Sequence, residues 1–206
     1  MYIPKQYQEH DLAEAEALIR EYSFATLTTV VDGLPWATHI PLELEKDEQG
    51  NWLLHGHIAR PNPQWRTLQD NPNVLAIFMG AHTYISPSWY NHRNVPTWNY
   101  KAVHVYGKAS TVEGEALVTM LHKLMARYEN ATAKNPHSYD DIPADMLKHD
   151  LRGLVGLEIK VERIEAVSKL SQNRDTESYN SVVEHLKEMD NPDAKRIAEE
   201  MEKTRK

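Results

Sequence analysis

Residues 24–44 read FATLTTVVDGLPWATHIPLEL, and this stretch gives the clearest indication of the class of fold. Two runs rich in β-branched and aromatic residues flank Asp32-Gly33, a dipeptide typical of two-residue hairpin turns. Side chains alternate along a strand, so one face of the second run carries Trp36, Thr38, Ile40 and Leu42. The stretch therefore predicts an antiparallel hairpin.

Similar strand patterns recur downstream and are interrupted by helical ones. Further strands are predicted at residues 52–58, 73–79, 82–86, 100–106 and 154–167. Helices are predicted after the caps Asp11, Asn62 and Asn191, and over residues 114–130. The helix over residues 114–130 has an apolar stripe formed by Leu117, Met120, Leu121, Leu124 and Tyr128. The pattern predicts a mainly β fold, an antiparallel barrel with helices around it.

Composition removes several functional classes. The 206 residues include no cysteine, which excludes disulfides, thiolate nucleophiles and iron–sulfur ligation. The net charge of −7 weighs against a general duplex-DNA binder, because such proteins need a broad positive surface. No apolar run approaches the roughly 18 residues of a membrane span, and the N-terminus lacks the pattern of a signal peptide. A cytoplasmic protein that does not enter the membrane is the resulting prediction.

The sequence also lacks the common cofactor and catalytic motifs. It has no G-x-G-x-x-G, no P-loop, no G-x-S-x-G and no H-E-x-x-H. His55 and His57 share one face of a strand, where His39 or His104 could join them. No carboxylate or cysteine completes a recognisable ligand set, so we interpret these histidines as structural and predict no metal site.

Three polar segments remain unexplained by folding alone. HIARPNPQW (57–65) leads into a helix N-terminus, where exposed N–H groups and Arg60 favour an anion and where Gln64 can reach back. KLSQNR (169–174) offers two cations, a hydroxyl and two amides. The loop SPSWYNHRNVPTWNY (86–100) supplies aromatic rings for stacking. Together they predict one ligand with a phosphate, polar ring edges and an aromatic face.

Several motifs in order give a more specific interpretation. MYIPK, HGHIARPNPQW, YISPSWY, VPTWNY, AVHVYG and KLSQNR together resemble the PaiB-type family of FMN-binding split-barrel proteins. The resemblance implies a split antiparallel β-barrel related to pyridoxamine-phosphate oxidases, dimeric, with FMN at the subunit interface. It also implies a negative transcriptional regulator and therefore DNA as a partner, directly or indirectly. Residues 1–174 would form the FMN-binding domain, and residues 175–206 a C-terminal helical extension packed on it.

The resemblance carries over to particular residues. Arg60 and Gln64 match the segment that approaches the FMN phosphate, and Thr38 and His39 lie on the strand that lines the flavin. Trp98, Asn99 and Tyr100 match the aromatic strand entrance. The cofactor loop near the C-terminus corresponds to Lys169, Ser171, Gln172, Asn173 and Arg174.

Three functions remain open on the sequence. The first is an FMN-binding regulator, with the redox state of the flavin as its signal. The second is a flavin-dependent reductase or oxidase, with substrate near Trp89, Tyr90 and His92, and with His39 or His92 as acid or base. The third is a haem-binding or haem-degrading protein, which the eleven histidines allow but do not localise.

Overall fold

The computed structural model describes residues 1–205, except for the side chain of Lys148. The strands are β1 (Gln8–Glu9), β2 (Phe24–Val31), β3 (Leu34–Pro41), β4 (Glu43–Lys46), β5 (Trp52–Ala59), β6 (Asn73–Ile85), β7 (Thr97–Val112) and β8 (Leu154–Lys169). The helices are α1 (Leu12–Glu21), α2 (Gly114–Thr132), α3 (Ala144–Arg152), α4 (Thr176–Glu188) and α5 (Pro192–Thr204). Short 3₁₀ turns cover Lys5–Tyr7, Pro63–Gln69, Pro87–Trp89 and Tyr139–Asp141.

The strands form one antiparallel sheet in the order β3-β2-β6-β7-β8-β5-β4, with β1 beside β8. Strands β3 and β4 end this order, so the sheet is not closed. The prediction of a split antiparallel β fold with peripheral and C-terminal helices is confirmed.

The hairpin forms as the sequence predicted. Asp32 and Gly33 have φ angles of 51° and 79°, the left-handed values that a tight hairpin turn requires. The second run of the hairpin pairs with β2 only as far as Pro41, however. After Pro41, which has no N–H for a ladder, the chain leaves β3 and continues as β4, which pairs with β5. The run through Leu44 is therefore two strands.

Other predictions need correction. The two strands predicted at residues 73–79 and 82–86 are one strand, β6. In α2 only Leu117 is buried among the predicted apolar stripe, and the ring of Tyr128 is 37% exposed. The Tyr128 hydroxyl contacts the side chains of Ser23 and Glu43, which explains why this end of the stripe is polar. Helix α3 was not predicted.

The chain divides into two compact units. The first unit comprises residues 1–22, 78–104 and 165 onward, and the second comprises residues 23–77 and 105–164. In the first unit, α4 and α5 share a buried cluster with Ala81, Ile85, Tyr90 and Leu170. In the second unit, buried side chains include Leu27, Leu42, Leu54, Leu157 and Ile159. A domain boundary at residue 174 stays a prediction.

Within residues 1–205, no helix has both the length and the apolar character needed to cross a membrane.

Candidate functional site

The predicted site residues fall into two groups, one in each unit. The second unit contains Thr38, His39, Arg60 and Gln64. The first unit contains Trp98, Asn99, Tyr100, Lys169, Ser171, Gln172, Asn173 and Arg174. We describe each group by its own contacts.

Asn62 ties the 3₁₀ turn Pro63–Gln69 to strand β3. Its Oδ1 accepts a hydrogen bond from the Gln64 backbone N–H at 3.1 Å, as the sequence predicted for a cap. Its Nδ2 donates to Thr38 Oγ1 at 2.9 Å. The half-buried Thr38 hydroxyl therefore accepts a hydrogen bond from a neighbouring side chain.

Gln64 makes a second tie between this turn and the hairpin. Its side chain is only 1% exposed, and Nε2 donates to the Leu27 carbonyl at 3.1 Å. The buried Oε1 has no hydrogen-bond partner among the described residues. Gln64 thus fixes the turn from inside the protein, and direct contact between Gln64 and a ligand stays a prediction.

The guanidinium of Arg60 already contacts acceptors of this chain. Its Nε donates to the carbonyl of Arg152 at 2.9 Å, and Nη2 donates at 2.9 Å both to the Leu154 carbonyl and to Glu113 Oε1. The side chain is 38% exposed and its charge is balanced by Glu113. A phosphate would therefore have to bind through Nη1 or displace Glu113, and a phosphate contact at Arg60 stays a prediction.

His39 is exposed near the edge of the hairpin. Its Nδ1 lies 3.0 Å from Thr26 Oγ1, and its ring stacks on Phe24 with centroids 6.4 Å apart. These contacts orient the ring and leave Nε2 as the nitrogen available for a proton or a ligand.

Internal hydrogen bonds shape the loop after β8. Ser171 has φ of 59° and is 3% exposed, and its Oγ lies 3.0 Å from Nδ2 and 3.1 Å from Oδ1 of Asn99. The Leu170 N–H donates to Gln172 Oε1 at 2.7 Å, while Gln172 Nε2 donates to the Ser168 carbonyl. The structure thus brings Asn99, Ser171 and Gln172 together as the frame of the loop, and it leaves Asn173 exposed.

The two cations of this loop, Lys169 and Arg174, contact a hydroxyl and aromatic rings. Lys169 Nζ donates to Thr97 Oγ1 at 2.6 Å and lies 5.8 Å from the Tyr7 ring centre, while Arg174 lies 4.9 Å from the Tyr90 ring centre. Among the described residues, neither cation forms an ion pair with Asp or Glu. Burial lowers the pKa of the Lys169 ammonium, and the charge of Arg174 lowers it further. A bound anion would oppose both effects, because it would stabilise the charged form of Lys169.

Trp98 supplies an exposed ring in the same unit. Its side chain is 53% exposed, and its ring centre lies 6.2 Å from that of His82 and 6.1 Å from that of Tyr84. Such a ring can stack on a flat ligand. Tyr100 follows two residues later on β7 and is half-buried.

The sequence interpretation missed the partners that hold these groups. Asn62 was recognised only as a cap, and Thr97 and Glu113 gave no local signal. Their roles depend on neighbours that are 24, 72 and 53 residues away in the chain.

The histidine pair has structural contacts. His55 lies between Glu45 and Glu158, at 3.6 and 3.2 Å. Burial lowers the pKa of the His57 imidazole, which favours its neutral form. In the part of the chain that the structure describes, no group of three or more His, Asp or Glu residues could hold a metal ion.

The open antiparallel sheet flanked by helices has the split-barrel fold of the pyridoxamine-phosphate-oxidase-like type. Residues 1–163 match the family described as "Putative FMN-binding domain", and the chain belongs to this family. It is 45% identical to the "Protease synthase and sporulation protein PAI 2" of Bacillus subtilis, over 98% of this chain and 97% of the relative.

Two solved structures share the fold. The "FAD and Heme binding protein" from Mycobacterium smegmatis is 14% identical with a TM-score of 0.60, covering 85% of this chain and 79% of that one. The "Flavocytochrome Anf3" from Azotobacter vinelandii is 14% identical with a TM-score of 0.59, covering 87% of this chain and 78% of that one. At such identity the likeness concerns the fold alone.

Proposed function

We propose that this protein binds FMN. The observation that carries the proposal is the pair Lys169 and Arg174, two neighbouring cations that have no carboxylate partner within residues 1–205, in a chain of the FMN-binding family. Each group, taken by itself, fits part of the cofactor. In the first unit the cations suit its phosphate and Trp98 suits its aromatic face, and in the second unit the Thr38 hydroxyl suits a carbonyl or nitrogen of its ring.

Bound FMN would supply one- and two-electron redox chemistry. The protein's own residues would hold and orient it. Lys169 and Arg174 would neutralise the phosphate, while Asn99, Ser171 and Gln172 keep the loop in shape. His39, Tyr100 and Asn173 are further candidates for contact, and Arg60 and Gln64 would act mainly by fixing the turn beside Thr38.

The finer function that we propose is regulatory, with the flavin as the sensing group. The support is the Bacillus relative, whose name refers to protease synthesis and sporulation. DNA contact through the basic residues of α5 is not favoured, because Arg196 pairs with Glu21 and Glu199 while Lys203 pairs with Glu200. A regulator of this kind would act through a partner or through another surface.

We also propose a homodimer. In the second unit, the β2–β3 hairpin exposes apolar side chains at its edge, which a second copy could cover. The exposed fractions are 70% for Phe24, 44% for Val30, 70% for Leu34 and 40% for Trp36. Sedimentation at micromolar concentration should give a dimer; a monomer that still binds FMN tightly would contradict the proposal.

Titration of the purified protein with FMN, FAD and riboflavin tests cofactor binding. We expect FMN to bind most tightly, because riboflavin lacks the phosphate and FAD adds a nucleotide that no motif of this chain accommodates. Flavin absorption bands in the purified protein would agree with this result. A Soret band, or a preference for FAD, would overturn it.

A flavin-dependent reductase or oxidase is a second candidate. The observation that favours it is His39, whose ring is fixed through Nδ1 and whose Nε2 could exchange a proton with a substrate. Oxidation of NADH or NADPH by the FMN-loaded protein would distinguish the enzyme from the regulator. We expect turnover to fall in His39→Gln if the enzyme hypothesis is correct.

A further inference from the structure

We infer that Asn62 is a positioning residue that occupies one lone pair of the Thr38 hydroxyl and so keeps its proton free to donate to a ligand acceptor, in FMN a carbonyl oxygen or an unprotonated ring nitrogen. This inference rests on the proposed function and adds to it a direction of hydrogen bonding at one named atom.

The orientation of the Asn62 amide follows from its two neighbours. The backbone N–H of Gln64 can only donate, so the Asn62 atom 3.1 Å from it is the oxygen. The remaining amide atom is then the NH₂ group, which can only donate, and it lies 2.9 Å from Thr38 Oγ1. The usual ambiguity between the oxygen and nitrogen of an amide is thereby removed.

The orientation of the Asn62 amide determines the direction of its hydrogen bond with Thr38. Because Thr38 Oγ1 accepts the amide hydrogen, its own proton must point elsewhere. No acceptor for that proton is found within residues 1–205, and the side chain is only half-buried. The proton of the hydroxyl is therefore free for an acceptor on a ligand at β3.

Keeping this proton free favours a ligand that carries acceptors. The flavin ring system offers carbonyl oxygens and ring nitrogens as acceptors, and a neighbour that drew the proton toward itself would remove that bond. The bond from Asn62 excludes one orientation of the hydroxyl, which lowers the cost of ordering the group when the ligand binds. Asn62 would thus act on the cofactor through Thr38 without touching it.

The substitution Asn62→Asp tests the inference while preserving the cap. A carboxylate still accepts the Gln64 N–H, so the melting temperature should stay close to that of the wild type. It cannot donate to Thr38, so the Thr38 hydroxyl would donate to the carboxylate and turn a lone pair toward the ligand. We expect the Kd for FMN to rise about tenfold.

A double-mutant cycle separates this effect from charge repulsion. Thr38→Val should weaken FMN binding by a similar factor, Thr38→Ser should retain it, and adding Asn62→Asp to Thr38→Val should cause no further loss. Riboflavin, which has no phosphate, should show the same pattern. Asn62→Ser is an uncharged second variant, which caps the turn but is too short to reach Thr38.

Asn191→Asp is the matched control. Asn191 caps α5 through Oδ1, 3.0 Å from the Ala194 N–H, and the same chemical change there should leave FMN affinity unchanged. The inference is overturned if Asn62→Asp binds FMN like the wild type, or if its loss persists in the Thr38→Val background. If the wild type binds no flavin at all, the proposed function and this inference both fail.

Discussion

The two segments that the sequence assigned to phosphate differ in how their cations are neutralised. In the second unit, Arg60 has three internal acceptors at 2.9 Å, one of them the Glu113 carboxylate. In the first unit, Lys169 contacts a hydroxyl and an aromatic ring, and the nearby charge is the like charge of Arg174.

This difference separates two uses of a positive side chain. A cation bonded to backbone carbonyls and a carboxylate stabilises the fold, because its removal leaves those acceptors without a donor. A partly buried cation beside another cation destabilises the protein slightly and is stabilised by an added anion. Removing each cation in turn tests this separation.

Lys169→Ala should lower the affinity for FMN by on the order of 10- to 100-fold, because a charge-assisted bond to the phosphate is lost. The melting temperature should stay the same or rise, since repulsion with Arg174 disappears. Titration with FMN and riboflavin checks both parts. Lys108→Ala, which removes an exposed lysine paired with Glu162, is the control. An equal loss of riboflavin binding would contradict the assignment.

The pH dependence of binding sharpens the same comparison. The pKa of Lys169 is lowered, so the ammonium loses its proton at a lower pH than an ordinary lysine. FMN affinity should therefore fall as the pH rises from neutral toward the lysine range, and Lys169→Ala should flatten this dependence. Affinity that increases over that interval would be incompatible with a phosphate contact at Lys169.

Arg60→Ala should act mainly on stability. The carbonyls of Arg152 and Leu154 lose their donor, and we expect the free energy of unfolding to fall by about 1–2 kcal/mol. Arg60→Lys should recover the charge pair with Glu113 but not the forked contacts. Denaturant unfolding measures this loss. A larger effect on FMN affinity than that of Lys169→Ala would reverse the comparison.

Glu200→Gln tests a third cation, Lys101, whose charge is balanced by a carboxylate, as the charge of Arg60 is. Burial alone would raise the pKa of Glu200, but bonds from Lys101 at 2.7 Å and Lys203 at 2.8 Å outweigh it and lower the pKa. Stability from Glu200 is therefore present at neutral pH and is lost as the pH falls below the ordinary glutamate range. The variant should cost about 1 kcal/mol at neutral pH and should weaken the acid dependence of unfolding. An unchanged acid profile would refute this role.

His55→Ala should have the smallest effect on binding. Its two ring nitrogens lie near two carboxylates of the second unit, so both are engaged in contacts within the protein. FMN affinity should not change, whereas the melting temperature should fall slightly. Loss of flavin binding in this variant would reopen the haem and metal hypotheses.

Much of the fold could be predicted from local patterns. The hairpin at Asp32-Gly33 and the caps at Asp11, Asn62 and Asn191 are confirmed, because each depends on residues only a few positions apart. The division of the second hairpin run at Pro41 and the joining of residues 73–85 into one strand were missed. Strand partners across the sheet decide those features.

Local sequence patterns were enough to identify the family, the residue types of the proposed phosphate- and ring-binding site, and the turns that begin and end the elements. Which cations are neutralised depends on the tertiary structure. Arg60 meets Glu113 and two carbonyls from 53 to 94 residues away, whereas Lys169 meets Thr97, 72 residues away. Local patterns specify what a side chain can do, but its partners depend on sheet register and packing, which bring distant residues together.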